Sequence, residues 1–324
     1  MYTSKRYFGL FSRLTVRNFT STGRKKVGFL GLGNMGFPMV NNLIKNGYKV
    51  TAYDIDKEVL KKAEEIGAIA VQDVQETAVD QDICFTMLPN TYTVEDARLG
   101  PKGIFAYAKE GCLVIDSSTI SPISSKKMGE LGEKQKLIIA DAPVSGGING
   151  AKNGTLTFMV GCKKENFDEI SEFLKAMGKN IFHCGPYGTG QIAKICNNLA
   201  LAIEMIGVSE GLALGEKLGI NPKVLSNIMS TSTSSCWSLN SYNPKPGILE
   251  GVPSSNSYEG GFGVSLIKKD LSIVLDSAAK VGIDLQFGKK AIDYYVDIER
   301  QGKGKKDFSY VYQYISSLKP EKKP

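Results

Sequence analysis

The sequence predicts an α/β chain in two parts. A sheet flanked by helices is expected over residues 25–189, joined by a long helix to an all-α part over residues 190–318. Three observations predict this. Short, buried strand-like runs alternate with helical runs as far as Gly185, the pattern of a parallel, helix-covered sheet. After Gly190, strand-like runs with turn signals nearly vanish. A chain of 324 residues is also long enough for about two domains with sizeable cores.

The elements follow in order. KVGFLG at 26–31 reads as a buried strand, FPMVNNLIKNG as a helix and KVTAYD as a second strand. DKEVLKKAEEIG is helical, DICFTMLP a strand, TVEDARLGPKGIFAYAKEG holds a helix, and CLVIDSS is a strand. SPISSKKMGELGEKQ reads as a helix and LIIADAPVSGG as a strand with a glycine end. LTFMVG, the helix in ENFDEISEFLKAMG and the strand NIFHCG complete the first part. The second part opens with one long helical stretch, QIAKICNNLALAIEMIGVSEGLALGEKLG. NPKVLSNIMS, LIKKDLSIVLDSAAKVG and GKKAIDYYVDIERQG are further helices. Ser230 to Gly263 reads as a long loop of Ser, Asn, Pro and Gly, and such loops often carry function.

Composition excludes several function classes. The net charge of +7 does not indicate a nucleic-acid partner. Lys5, Arg6, Arg13, Arg17 and Arg24 lie in the first 24 residues, which hold no acid. Without these five the chain has 35 basic against 33 acidic residues. That opening stretch is Arg-rich, Ser/Thr-rich and amphipathic, the description of a mitochondrial transit peptide over residues 1–24. The six cysteines show no CxxC spacing and mostly sit in apolar runs, as buried free thiols of a reducing interior do. The apolar run LALAIEMIGVSEGLALG carries Glu204 and Glu210, so a protein core rather than a membrane is its expected setting. One histidine, His183, excludes multi-histidine metal sites, and no metal is expected. Acid–base chemistry falls to Lys, Tyr or a carboxylate.

Gly31, Gly33 and Gly36 form G-x-G-x-x-G between a strand and a helix, and the next strand ends at Asp54. In that setting the motif is the fingerprint of a Rossmann-type dinucleotide-binding domain. The glycines make the turn, admit pyrophosphate to a helix N-terminus, and let helix and strand pack closely. Asp54 suits a free ribose 2′-hydroxyl and opposes a 2′-phosphate, which favours NAD over NADP. Leu88-Pro89 and Asp116-Ser117-Ser118-Thr119 end two other strands of this part, where ligands of open α/β sheets bind. Ser145-Gly146-Gly147 offers successive amides suited to a substrate carboxylate.

Gly185, Gly188 and Gly190 raise the question of a second nucleotide loop. No strand ending in an acid follows, only continuous helix, so this is a domain-joining turn. It starts a helix on which Lys194 and Asn198 share a face among apolar neighbours. A lysine in such surroundings can have its pKa lowered by desolvation and a nearby cation, and so accept a proton near neutrality. Lys268 and Lys269 are candidates for that cation, and helical phase does not choose between them.

GFLGLGNMGFPM, DAPVSGG, GTGQIAKICNN and the run from Cys236 to Leu271 resemble the β-hydroxyacid dehydrogenase family over residues 26 to about 315. The resemblance implies that Lys194 is the catalytic lysine, that Asn198 holds the substrate, and that Ser145, Gly146 and Gly147 bind its carboxylate. It implies cofactor contacts at Gly31, Gly33, Asn34, Met35, Gly36, Asp54, Leu88, Pro89, Thr119 and Lys269, which selects Lys269 over Lys268. Thr93 departs from the family, which often has Asn beside the cofactor at that position. The implied reaction oxidises a small hydroxy acid, 3-hydroxy-2-methylpropanoate, with hydride passing to NAD, in a homo-oligomer (dimer or tetramer). Rivals are other hydroxyacid or semialdehyde enzymes acting on tartronate, succinic semialdehyde or glyoxylate, or a binding protein that has lost catalysis.

Overall fold

The computed structural model describes residues 25–319; the expected transit peptide at 1–24 lies outside them. Nine strands and thirteen α-helices follow one another among the described residues. The first part runs β1 (Lys26–Leu30), α1 (Gly36–Lys45), β2 (Lys49–Tyr53), α2 (Lys57–Glu65), β3 (Ile69–Ala70) and β4 (Ile83–Thr86). It continues with α3 (Thr91–Leu99), α4 (Ile104–Tyr107), β5 (Leu113–Asp116), α5 (Pro122–Lys134), β6 (Ile138–Asp141) and β7 (Val144–Ser145). α6 (Gly147–Asn153), β8 (Leu156–Gly161), α7 (Phe167–Leu174) and β9 (Gly178–Gly185) close it.

The strand order is β3-β2-β1-β4-β5-β6-β8-β7, and β9 also pairs with β8, off this path. From β3 to β6 every pairing is parallel, and the register is what matters for function. Leu30 pairs with Tyr53 and with Thr86, Thr86 with Asp116, and Asp116 with Asp141. Five strands therefore end in one row, and the loops after them open on one edge. The expectation of a wholly parallel sheet is corrected beyond β6. β8 runs antiparallel to β6 and β7, while β9 is parallel to β8. A second correction lies at PVSGG, where the glycines end β7 and begin α6 rather than prolonging a strand. The short strand β3 was not expected from the sequence. His183 lies on β9, its Nε2 3.1 Å from the Cys162 carbonyl, as a packing residue.

The central strands are apolar on both faces because helices cover both. Val27, Phe29, Phe85, Ile115 and Phe158 are fully buried, and Phe29 stacks on Phe85 at 4.9 Å. Cys84, Cys112 and Cys162 are buried as expected, whereas Cys196 is exposed.

The second part is built around α8 (Thr189–Lys217). It adds α9 (Pro222–Ser230), α10 (Trp237–Asn240), α11 (Val264–Val281), α12 (Gln286–Ile298) and α13 (Val311–Ser317). The expected long loop over 230–263 thus contains a short helix. By length and composition alone α8 could cross a membrane. Here Ala202 and Met205 pack with Ile267, Leu271, Tyr295 and Val311 in the core of the helical part.

The glycine-rich turn before α8 grips a carboxylate of its own chain. Asp141 Oδ1 accepts the Gly188 amide at 2.7 Å and Oδ2 accepts the Gln191 amide at 2.9 Å. Free amides and the dipole at a helix N-terminus favour an anion there. Burial pushes the Asp141 carboxyl up to about 7, against the pull of the two amides. Gly190 allows the close approach: a Cβ there would lie 2.2 Å from the Met159 carbonyl oxygen and 2.7 Å from Asp141 Oδ2. Gln191, wholly buried, donates to the Ser118 carbonyl at 2.7 Å and accepts the Ile120 amide at 3.1 Å.

Two glycines of α8 therefore respond oppositely to alanine. Gly190→Ala is expected to lower the unfolding free energy by about 1–3 kcal/mol through backbone overlap. Gly207, with open space around its missing Cβ, is expected to gain about 0.5–1 kcal/mol as alanine. Urea unfolding of both variants checks the pair; equal effects would mean that the joint is loose.

Candidate active site

The edge where β1, β2, β4, β5 and β6 end carries the predicted binding residues. After β1 the chain turns at Gly31, whose φ of +92° is favoured only by glycine. A Cβ at Gly36 would lie 1.8 Å from the Gly31 carbonyl oxygen, so α1 starts hard against the turn. Gly33 is exposed, and nothing stands within 4 Å of where its Cβ would be. Asn34 is exposed and Met35 half-buried beside it. The N-terminus of α1 has no side-chain cap and no acid in its first turn. Open space over uncapped amides fits a pyrophosphate.

Asp54 stands next to this loop. Its Oδ2 accepts the Leu32 amide at 2.6 Å and its Oδ1 the Asp56 amide at 2.9 Å. The carboxylate is thus fixed at the rim of the glycine loop, as a ribose-binding acid must be. Beyond β4, the Leu88 amide donates to Ser118 Oγ at 2.8 Å, tying Leu88 and Pro89 to the loop after β5. Thr93 lies on the first turn of α3, and its hydroxyl donates to the capping Asn90 Oδ1 at 3.0 Å. Ser145 is half-buried, and Gly146 and Gly147 are exposed with φ of +127° and +60°. Both glycines therefore hold a conformation that L side chains rarely adopt.

The helical part brings a charged cluster to the cleft where α11 meets the loop after β5. Lys194 and Asn198 lie one turn apart on α8, and both are buried, Lys194 with 9% of its surface exposed. This is no surface lysine with a solvated tip. Burial lowers its pKa to about 8; Asp270 opposes the shift and Lys269 adds to it. Lys269 Nζ donates to the Thr119 carbonyl at 2.7 Å across the domain boundary. Lys268 turns away to pair with Glu299. The structure thus brings Lys269, not Lys268, to the cleft.

Asp270 is a residue the sequence reading missed. It lies 3.0 Å from Lys269 Nζ, and its Oδ2 accepts Asn198 Nδ2 at 2.6 Å. A signal existed: it is a carboxylate among Ile267, Leu271 and Val274 on the buried stripe of α11. Buried charge without a reason is rare.

The chain is similar to known proteins along nearly its whole length. Residues 26–185 match a domain family described as the NAD binding domain of 6-phosphogluconate dehydrogenase. Residues 188–315 match one described as NAD-binding of NADP-dependent 3-hydroxyisobutyrate dehydrogenase. A probable mitochondrial 3-hydroxyisobutyrate dehydrogenase of Dictyostelium discoideum is 43% identical, over 98% of each chain. An NAD-dependent L-serine dehydrogenase of Pseudomonas aeruginosa is 40% identical, over 89% of this chain and 96% of that protein. The solved structure of Mycobacterium tuberculosis 3-hydroxyisobutyrate dehydrogenase with L-serine superposes with a TM-score of 0.84 at 34% identity, covering 90% of this chain and 99% of that one.

Burying Lys194 has a cost that depends on pH. The folded chain releases this proton near pH 8 and the unfolded chain near 10.5. Below pH 8 both forms are charged and the folded state bears the full cost, roughly 3 kcal/mol. Between 8 and 10.5 only the unfolded form stays charged, and the cost fades. Lys194→Met, similar in reach and uncharged, is therefore expected to be more stable than the natural chain at pH 7, with the gap shrinking by pH 9.5. Urea unfolding at the two pH values checks this. A gap independent of pH would mean that Lys194 is solvated.

Proposed function

We infer the reaction from one premise: the chain belongs to the 3-hydroxyisobutyrate dehydrogenase family. We propose that it oxidises 3-hydroxyisobutyrate (3-hydroxy-2-methylpropanoate) to methylmalonate semialdehyde, a step of valine breakdown, with NAD as the acceptor. The observation that carries this reading is Lys194, a buried amine with a pKa of about 8 on the helix that joins the two domains. A base is most effective when its pKa lies near the working pH.

The residues divide the work. The Gly31–Gly36 loop with Asn34 and Met35 holds the dinucleotide phosphates, and Asp54 the adenosine ribose. Leu88, Pro89, Thr119 and Lys269 would hold the nicotinamide end, with Thr93 at the position where the family often has Asn. A bound nicotinamide would supply the hydride acceptor for the carbinol carbon. Lys194, neutral, takes the hydroxyl proton. Asn198 Nδ2 donates to the hydroxyl oxygen and orients it. Ser145, Gly146 and Gly147 hold the carboxylate through a hydroxyl and successive amides. Carbon loses a hydride and oxygen loses a proton, which leaves the aldehyde.

Two points need assay. The family description of the helical part names an NADP-dependent enzyme, whereas Asp54 repels a 2′-phosphate. L-serine shares the hydroxyl and the carboxylate, and one relative is named for it. The test is a panel of 3-hydroxyisobutyrate, L-serine, tartronate and 4-hydroxybutyrate, each with NAD and with NADP. The natural chain is expected to turn over 3-hydroxyisobutyrate best, with NAD; Asp54→Arg is expected to narrow the gap between cofactors. Lys194→Ala is expected to lose about 10²–10⁴-fold in turnover while binding NAD normally. A Lys194→Ala chain that keeps a tenth of the natural turnover would sink the mechanism.

Address and assembly rest on two other stretches, residues 1–24 and the exposed apolar side chains of α8 and α9. Residues 1–24 are proposed as a mitochondrial address, and close relatives are named mitochondrial. Leu214, Leu218, Val224 and Ile228 are 62, 79, 51 and 51% exposed at the end of α8 and along α9. We propose that a second copy covers them, since large apolar patches mark association surfaces. A chain beginning at Lys25 tests both: it is expected to keep its activity, elute as more than one copy in size-exclusion light scattering, and fail to enter mitochondria. A monomer, or a truncated chain that is still imported, contradicts the respective reading.

A further inference from the structure

Asp270 is 2% exposed, yet no contact of the reaction as described uses it. Each of its oxygens faces a different member of the site. Oδ2 accepts Asn198 Nδ2 at 2.6 Å, and Oδ1 lies 3.0 Å from Lys269 Nζ. Asn198 Oδ1 meanwhile accepts Asn197 Nδ2 at 3.1 Å. An amide can turn over and exchange its oxygen for its nitrogen, whereas an ionised carboxylate only accepts. Asp270 therefore fixes which end of the Asn198 amide faces it, and leaves one Nδ2 hydrogen for another acceptor. Oδ1 has no well-formed hydrogen bond among the described residues, only the ion pair with Lys269. Without the carboxylate, the Lys269 ammonium would act on Lys194 with no anion to offset it.

We propose that Asp270 is a positioning residue of the reaction: its carboxylate holds the Asn198 amide with Nδ2 toward the substrate hydroxyl, and balances the Lys269 ammonium beside Lys194. The proposal rests on Lys194 and Asn198 acting as inferred above. Its consequences separate into orientation and charge. Orientation governs how well the hydroxyl is held in line with Lys194. Charge governs where Lys194 exchanges its proton, because the charged side chains that bear on it, Asp270 and Lys269, both come from α11. Asp270 favours the protonated amine, and Lys269 and burial favour the neutral one. Removing the anion leaves only influences that lower the proton affinity.

Asp270→Asn and Asp270→Glu test this in the full chain with saturating NAD. Asp270→Asn keeps the shape and loses the charge. It is expected to lose roughly 10–100-fold in kcat, the effect of losing a hydrogen bond to a charged group. The acid limb of its kcat–pH profile is expected to move to lower pH by about one unit, tenfold in proton concentration. Asp270→Glu keeps the charge and is expected to hold that limb in place even where its rate falls. A purely structural role would lower stability and rate in both variants and leave the limb where it is. The proposal fails if the limb of Asp270→Asn coincides with that of the natural chain. Should Asp270→Asn not fold, a limb that moves in Asp270→Glu overturns it. If the natural chain oxidises no hydroxy acid, the reading of the reaction fails instead. The Lys194 titration, followed by NMR of ¹³C-labelled lysine in the NAD-free natural and Asp270→Asn chains, then decides the charge part without turnover.

Discussion

Two backbone amides at the start of α8 close on the Asp141 carboxylate, and the geometry of the cleft is referred to that joint. Asp141 ends β6, in the row of strand ends on which the dinucleotide loops open. Thr189 begins the helix that carries the buried lysine. One carboxylate thus sets the distance between the sheet and the helix that carries Lys194. Hydrogen bonds to an ionised group stabilise by about 1.5–3 kcal/mol each, and burying the charge costs a comparable amount. The joint therefore adds little to total stability; what it contributes is position. The side chain of Gln191, the residue that gives the second amide, adds a further hold, clasping Ser118 and Ile120 on either side of Thr119. Lys269 holds Thr119 itself from α11. The loop after β5 is gripped by both long helices of the other domain.

The two domains face the cleft with different chemistry. The sheet offers backbone amides, open space at Gly33 and one rim carboxylate, Asp54. Such groups bind phosphate and ribose and do not exchange protons near neutrality. The helices offer Lys194, Asp270 and Asn198, packed where water is scarce, and Lys269, half-buried beside them. In that setting each charge strongly affects its neighbours. Burial alone pushes Lys194 toward neutrality, and the pair from α11 adjusts the result in both directions. A lysine in water would stay protonated at pH 8; the same side chain on α8 is half available as a base.

What was legible in the sequence follows the range of the interactions. Gly31, Gly33 and Gly36 act on residues a few positions away, and so their roles could be read locally. Lys194 and Asn198 share a helical face, so their proximity followed from a period of 3.6 residues. Asp141 and Asp270 did not yield to this reading, because their partners lie 47 to 72 residues away. Helical phase could not separate Lys268 from Lys269, since their partners, Glu299 and the Thr119 carbonyl, lie 31 and 150 residues away. The antiparallel β8 was missed for a related reason. The link from Ser145 to Leu156 holds only a seven-residue helix, short for a crossover that must carry the chain back to the far edge of a sheet. Apolar strand runs look alike in either direction, so link length was the only signal.

The glycine-rich turn that resembles a phosphate loop shows why the joint must be so tight. An α-helix rotates about 100° per residue, so a slip of one residue at Gly188–Gly190 would swing Lys194 out of the cleft. The slip is prevented sterically and electrostatically at once. Gly190 fits only where no Cβ meets the Met159 carbonyl, and the amides of Gly188 and Gln191 reach Asp141 only in this phase. The same physics that binds a phosphate at a helix N-terminus is used here on an internal carboxylate. The turn sets the rotation of α8, and the rotation of α8 decides that the Lys194 amine is buried within reach of the charges of Lys269 and Asp270 on α11.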